Sequence, residues 1–156
     1  MHTFKRQQFI PASISEVWDF ISSPANLKHI TPDYMGFEVL TTDLPDKMYA
    51  GMIITYHVRP LLGLKMKWVT EISQVRDKEY FVDQQLSGPY SIWHHQHILK
   101  EGDGGVLMTD IINYKPPLGF LGRIANFLFI RNQIKGIFDY RTKKLNERFL
   151  KPEFKN

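Results

Sequence analysis

The stretch that decides the fold is LGFLGRIANFLFIRNQIKGIFDYRTKKLNERF, residues 118–149. Its apolar residues recur at the three- and four-residue steps of one helix face, namely Ile134, Ile137, Phe138, Leu145 and Phe149. A helix of about thirty residues is about 45 Å long. It would cross most of a small domain, so its apolar face needs a partner as broad as a curved sheet.

Arg141 interrupts this apolar face, because it falls in register with Ile134 and Phe138. We expect its guanidinium to point inward. Two interpretations stay open. The side chain pairs with an acid of the sheet, Asp110 or Glu71, as buried arginines usually do. Alternatively, it clamps the carboxylate or phosphate of a ligand.

Composition limits the classes of function. The 156 residues predict one domain, 1–156, and 43% apolar residues suffice for a core. The absence of cysteine excludes disulfides, thiolate metal sites and cysteine nucleophiles. The sequence has no Gly-rich phosphate loop, no serine nucleophile elbow, no apolar leader and no membrane-spanning run. We therefore expect a soluble cytoplasmic protein without cofactor or metal.

The net charge of +4 lies in the last helix. Residues 131–156 contain eight Lys or Arg and three acids, whereas the rest of the chain has a net charge of −1. A solvated helix face explains this basicity, and an anionic partner is the alternative. No aromatic-rich basic strand accompanies it, so we do not expect nucleic-acid binding.

The remaining chain predicts mostly strands. Residues 3–10 form a first strand, Ser13 and Glu16 have the spacing of a capping box, and a second short helix runs from Pro24 to about His29. Period-two segments separated by turn residues then predict six antiparallel strands, at 37–42, 52–59, 64–76, 80–87, 91–100 and 105–115. The first strand can pair at an edge of this sheet.

Four groups of motif residues resemble a known superfamily. They are Glu16-Val17-Trp18-Asp19-Phe20 with Asn26-Leu27 and Thr31-Pro32; Gly88-Pro89-Tyr90 with Trp93, His95 and His97; Asp110 with Tyr114; and Leu121-Gly122-Arg123 with Ile137-Phe138-Asp139-Tyr140-Arg141. The chain resembles the START-like (SRPBCC) superfamily over its whole length. The resemblance implies the α+β helix-grip fold, in which a curved antiparallel sheet of six or seven strands wraps a long C-terminal helix and two short helices follow strand one. It does not name the function, because the superfamily includes lipid carriers, hormone receptors, cyclases, oxygenase domains and chaperone activators.

A hairpin within residues 91–114 carries the candidate chemistry. If Lys100 lies opposite Gly105, the pairs on one sheet face are His97 with Met108, His95 with Asp110, and Trp93 with Ile112. Both faces contain apolar residues, so periodicity does not show which one points inward. The resemblance favours the face with Trp93, His95 and His97.

The expected His95–Asp110 pair has three interpretations. It is a satisfied polar network, a ligand anchor, or an acid/base pair in a cofactor-free cyclase or dehydratase. An iron site of two histidines and a carboxylate is disfavoured, because His95 and His97 are neighbours on one strand face.

Residues 127–130, Phe-Leu-Phe-Ile, are apolar all round one helical turn. One side packs on the sheet, so the other needs cover. We expect cover from the loop at 60–63 or from a second subunit, with transient membrane contact as the alternative and no stable insertion. Both a monomer and a homodimer fit the sequence.

We expect this protein to bind or transport a small hydrophobic or amphipathic ligand, lipid-like or aromatic, in a cavity of about 300–1,000 Å³. The predicted ligand-binding residues are Trp68, Trp93, His95, His97, Met108, Asp110, Ile112, Tyr114, Ile134, Phe138 and Arg141, with Met66 also in the wall. Two alternatives stay open. One is the cyclase-type enzyme with His95 and Asp110 as catalytic candidates, and the other is a protein-interaction module with a vestigial cavity.

Overall fold

The computed structural model describes residues 1–61 and 63–150, with a seven-stranded antiparallel sheet as its central element. The strands follow the order β1-β7-β6-β5-β4-β3-β2. The predicted meander with the first strand at one edge is therefore confirmed. The strand bounds are β1 His2–Ile10, β2 Glu38–Val39, β3 Met52–Leu61, β4 Leu64–Arg76, β5 Tyr80–Ser87, β6 Ile92–Gly102 and β7 Gly105–Lys115.

Helical segments follow β1 and β7. After β1 come α1 (Ile14–Ile21) and two 3₁₀ helices (Pro24–Ile30 and Asp33–Met35). After β7 come α2 (Gly119–Ala125), a π-helical turn (Asn126–Ile130) and α3 (Arg131–Phe149). The predicted C-terminal helix is thus confirmed as one helical run with a π-helical turn inside it. None of the helices within the described ranges combines the length and apolar character needed to cross a bilayer.

The predicted capping box starts α1. The Glu16 amide donates to Ser13 Oγ at 3.3 Å, and the Ser13 amide donates to Glu16 Oε2 at 3.0 Å. Two amides that a helix start leaves unpaired are thereby satisfied. This start directs Val17 and Trp18 into the core.

Strand β2 is shorter than the predicted segment 37–42. Beyond Val39, the Thr55 amide donates to the hydroxyl of Thr41 at 2.8 Å, so a side chain replaces the backbone acceptor of a regular ladder. Asp43 then adopts a positive φ of 57°, which turns the chain away from the sheet. Side-chain competition of this kind shortens a strand without changing its period-two pattern.

The register of the β6–β7 hairpin differs from the prediction by two residues. Gly102, not Lys100, lies opposite Gly105, and the chain reverses over Asp103 and Gly104. Gly104 has a φ of +76°, which residues with a side chain rarely adopt. A two-residue shift leaves every side chain on its predicted face. The actual partners are His97 with Asp110, His95 with Ile112, and Trp93 with Tyr114.

Helix α3 packs on the sheet through the predicted face. Ile134, Phe138 and Leu145 are buried, whereas Ile137 and Phe149 are partly buried. Two apolar clusters result. Leu145 joins the cluster around α1, while Ile134 and Phe138 join the cluster that contains Trp68, Tyr90, Ile112 and Tyr114.

Candidate functional site

A cavity of about 130 Å³ lies between α3 and the sheet. Aromatic side chains form much of its wall, and they also explain why it is smaller than the predicted range. The Trp93 ring meets Trp68 edge-on with centroids 5.2 Å apart and meets Tyr90 at 4.9 Å. These large rings occupy space that a sheet and helix of this size would otherwise leave open.

Seven of the predicted ligand-binding residues line the cavity, namely Trp68, Trp93, His95, His97, Ile134, Phe138 and Arg141. Four others do not appear among its described lining residues. Met108 packs with the α1 cluster, while Ile112 and Tyr114 lie with Ile134 in the second cluster. Asp110 contacts the histidines that line the wall. Met66, also predicted in the wall, is half-buried and outside the cavity lining.

Four polar side chains form what we call the His–Asp cluster: Asp83, His95, His97 and Asp110. His95, His97 and Asp110 are buried, and the Asp83 side chain is 15% exposed. Nε2 of His95 lies 2.9 Å from Asp110 Oδ1, and Nε2 of His97 lies 2.9 Å from Asp83 Oδ2. The Nδ1 atoms are also close to carboxylates, at 3.2 Å between His95 and Asp83 and 3.0 Å between His97 and Asp110. Each carboxylate therefore contacts both imidazoles.

Strand pairing explains this arrangement. Asp83 of β5 lies opposite His95, and Asp110 of β7 lies opposite His97. The remaining two contacts run diagonally to the next residue on the same sheet face. The predicted His95–Asp110 contact thus exists, although the predicted register for it was wrong.

Asp83 is the member of the cluster that the sequence did not reveal. Asp83 lies two residues after buried Phe81 on β5 and therefore on the same sheet face. This spacing was the signal in the sequence that could have identified it. The β5–β6 connection through Gly88 and Pro89 left the register between these strands open. Only the paired strands show that Asp83 falls beside His95.

Contacts within the cluster favour the charged forms of Asp83, Asp110 and His95 in spite of burial. Burial alone would raise the pKa of the Asp83 and Asp110 carboxyls, but contacts with His95 and His97 outweigh it and hold both pKa values well below the usual range. Burial would likewise lower the pKa of His95. Its carboxylate contacts with Asp83 and Asp110 exceed that effect and raise the pKa. The two carboxylates therefore favour the charged form of His95.

Arg141 points inward, as predicted, and its side chain is 11% exposed. Its Nη1 lies 3.6 Å from Asp110 Oδ1, which is an ion-pair distance but too long for a hydrogen bond. The guanidinium also lies over the Phe138 ring, 4.6 Å from the centroid. Its buried Nε and Nη1 atoms have no hydrogen-bond partner among the residues that the structure describes. The ion pair with Asp110 therefore leaves donor capacity unused.

The cluster also has donors of the kind that bind metals. The ligand atoms of Asp83, His95 and His97 all lie within 4.8 Å of one another. However, the two imidazole centroids lie 3.7 Å apart between bridging carboxylates. The two Nε2 contacts are hydrogen bonds, and the two Nδ1 contacts are ion-pair contacts of 3.2 and 3.0 Å. The positive guanidinium beside Asp110 further disfavours a dication. We assign the cluster to hydrogen bonding.

Solved structures share this fold. The protein TTHA0849 from Thermus thermophilus matches with a TM-score of 0.70 and 16% identity over 96% of this chain and 97% of that chain. The major latex-like protein 151 of Panax ginseng matches with a TM-score of 0.65 and 10% identity over 96% and 98% of the two chains. Ara h 8.0201 matches with a TM-score of 0.60 and 12% identity over 94% and 98%. These similarities confirm the helix-grip fold.

Comparison by sequence identifies the family. A search of curated proteins found no match. The sequence profile of the family described as polyketide cyclase / dehydrase and lipid transport matches residues 10–135, which is most of the chain. The START-like resemblance is thereby confirmed, and the fold is one that binds hydrophobic ligands. The chain belongs to the polyketide cyclase / dehydrase and lipid transport family.

Proposed function

We propose that the protein binds a small amphipathic ligand between α3 and the sheet, with an apolar body against the aromatic wall and an anionic end at Arg141. The observation that carries this proposal is the inward guanidinium, whose Nε and Nη1 atoms are buried without a described hydrogen-bond partner. Buried donors of this kind are costly unless a partner satisfies them.

A carboxylate is the group that suits Arg141. The planar guanidinium offers parallel N–H donors that match two carboxylate oxygens. Asp110 cannot supply this match, since its Oδ1 atom already contacts both histidines and lies 3.6 Å from Nη1. Trp68 contributes a further buried donor to the wall, because its Nε1 also lacks a described partner. Nδ1 of His97, which also lines the cavity, likewise has no described hydrogen-bond partner. The unpaired groups of Arg141 and Trp68 are donors, so the ligand should carry acceptors for them.

The volume limits the apolar body. A dry cavity of about 150 Å³ holds a molecule such as benzene, and this cavity measures about 130 Å³. The apolar body should therefore be no larger than about a single aromatic ring or a short acyl chain. We also propose that the protein is cytoplasmic, as predicted from the sequence.

Binding is better supported than acid/base catalysis. His95 lines the cavity, and its raised pKa would suit a general acid. However, both of its ring nitrogens lie within 3.2 Å of carboxylates, so neither is free to reach a ligand. The cyclase-type alternative would require the cluster to open.

Equilibrium binding with two matched probes tests the proposal. Phenylacetate and 2-phenylethanol have the same ring, but only the first carries a carboxylate. Arg141→Gln should weaken phenylacetate binding about tenfold to a hundredfold, since a charge-assisted hydrogen bond contributes roughly 1.5–3 kcal/mol. Binding of 2-phenylethanol should change little, and dialysis against EDTA should change neither affinity.

Lys143→Gln is the matched control, because it removes a positive charge from an exposed position of the same helix. It should leave the phenylacetate affinity unchanged. Equal losses in Arg141→Gln and Lys143→Gln, or equal losses for both probes, would show that Arg141 does not bind the carboxylate.

A further inference from the structure

Helix α2 and the π-helical turn have large apolar side chains on the outside. Six of these side chains are between 41% and 82% exposed, and we call them the apolar patch: Phe120, Leu121, Ile124, Phe127, Leu128 and Phe129. Exposed apolar residues are normal when scattered, but a contiguous group on one short segment marks a contact surface.

The buried side of the same segment is narrow and keeps this orientation fixed. It carries Gly122, Asn126 and Ile130, each four residues apart. A Cβ atom at Gly122 would lie 1.9 Å from the Pro117 carbonyl oxygen, so only glycine permits this close approach. Asn126 Oδ1 accepts a hydrogen bond of 2.8 Å from the Tyr114 hydroxyl. Gly122, Asn126 and Ile130 therefore anchor the segment to the rest of the protein, and its other large apolar side chains face outward.

The loop at 60–63 was predicted to cover these residues, but its described part leaves them exposed. Phe127 is 82% exposed, while Ile130 of the same turn is buried. Leu62, at the centre of the loop 60–63, lies outside the described residues. The patch itself remains uncovered in the described part of the protein.

The stretch of chain that contains the patch carries charge of one sign. Residues 111–138 contain four cations, at Lys115, Arg123, Arg131 and Lys135, and no Asp or Glu. Lys135 pairs with Asp139, whereas no ion pair links the other three to any described residue. Arg131 is exposed and directly follows the π-helical turn that carries Leu128 and Phe129.

We propose that the apolar patch docks shallowly on a membrane surface that carries anionic headgroups. An interfacial helix of this kind places its apolar side at the headgroup–acyl boundary and its cations among the headgroups. A second copy of the chain fits less well, because a symmetric contact between two patches would bring the same unpaired cations together. This proposal does not depend on what fills the cavity.

Vesicle flotation tests the proposal with the whole chain. The protein should float with vesicles of phosphatidylcholine mixed with phosphatidylglycerol, and much less with phosphatidylcholine alone. The double variant Phe120→Ser/Phe127→Ser should weaken binding to the mixed vesicles at least about tenfold. Leu86→Ser removes a similarly exposed apolar side chain from β5 and should bind like the unmodified protein.

Charge variants separate the contribution of the cations to vesicle binding from that of the apolar side chains. Arg123→Gln/Arg131→Gln should weaken binding to the mixed vesicles and reduce its salt dependence, while Lys100→Gln/Lys143→Gln removes the same charge elsewhere and should have little effect. Far-ultraviolet circular dichroism confirms that each variant is folded. Failure to float with the mixed vesicles, or equal binding by the patch and control variants, overturns the proposal. A dimer in sedimentation that Phe120→Ser/Phe127→Ser dissociates overturns it in favour of a second copy.

Discussion

Two regions of this protein depart in opposite ways from the usual rule that apolar side chains are buried and polar side chains are exposed. The concave face of the sheet holds two carboxylates, two imidazoles and a guanidinium, all buried or largely buried, inside an apolar shell. The segment 119–130 exposes large apolar side chains and buries Gly122 and Asn126. The first region satisfies most of its polar atoms internally, whereas the second has no partner for its apolar surface among the residues that the structure describes. Stability therefore depends on the first region, and we propose that contact with a membrane surface accounts for the second.

The largest expected effect comes from breaking the His–Asp cluster. Asp110→Ala would leave two histidines without one of their bridging carboxylates, so the free energy of unfolding should fall by about 3–5 kcal/mol. The matched control is Asp139→Ala, which removes an exposed carboxylate paired with Arg6 and Lys135 and should cost about 1 kcal/mol or less. Urea denaturation measures both. Similar losses in the two variants would mean that the cluster is not a closed, charge-paired unit.

A pair of phenylalanines compares the two regions directly. Phe138 of α3 is 3% exposed, and Phe127 of the π-helical turn is 82% exposed. Phe138→Ala should lower the free energy of unfolding by about 3–5 kcal/mol, while Phe127→Ala should change it by no more than about 0.5 kcal/mol. Thermal and urea unfolding provide the comparison. A large loss for Phe127→Ala would show that the patch packs inside the folded protein.

The pH dependence of stability follows from the same cluster. The lowered pKa values of Asp83 and Asp110 stabilise the fold above the ordinary carboxyl value of 3.8, and this contribution disappears as the pH falls below it. The raised pKa of His95 stabilises the fold below the ordinary imidazole value of 6.5, and this contribution is lost as the pH rises above it. The free energy of unfolding should therefore be highest between pH 3.8 and 6.5.

Asp110→Asn sharpens this prediction. It removes one carboxylate contact of His95 while keeping the side-chain volume, so the decrease in stability above pH 6.5 should become smaller. Each unit of pKa difference corresponds to about 1.4 kcal/mol. Urea titrations across the pH range measure the effect. An unchanged alkaline decrease in Asp110→Asn would assign it to groups outside the cluster.

The smallest expected effect concerns catalysis. His95→Gln should leave 2-phenylethanol binding within about twofold of the unmodified protein, because both ring nitrogens of His95 contact carboxylates and neither is free to reach the ligand. Mass spectrometry of phenylacetate after incubation should detect no conversion in either protein. A conversion that His95→Gln abolishes, with a rate that follows the titration of His95, would instead support the cyclase-type alternative.

Much of the fold was predictable because local signals agreed. Turn residues bounded the strands from Met52 onward, and helical spacing identified the face with Ile134 and Phe138. The early end of β2 was not predictable, because it depends on one hydroxyl, that of Thr41, replacing a backbone acceptor. Period-two patterns contain no information about such competition.

The candidate site was predictable in part. The face that carries His95, His97 and Trp93 was correct, since a two-residue error in register does not change the face. Asp83 was missed, because its position depends on pairing across the β5–β6 connection. The volume was overestimated, because rotamers of Trp68, Tyr90 and Trp93 decide how much space remains.

Nuclear magnetic resonance tests the central claim most directly. In a titration with phenylacetate, the Nε–H signal of Arg141 should move and saturate, because the ligand carboxylate supplies its missing acceptor. The Nε–H signal of Arg76, which pairs with Glu79 on the surface, should stay in place. Saturable movement at Arg141 alone is the predicted result. An Arg141 signal that stays fixed while phenylacetate binds elsewhere would contradict the account.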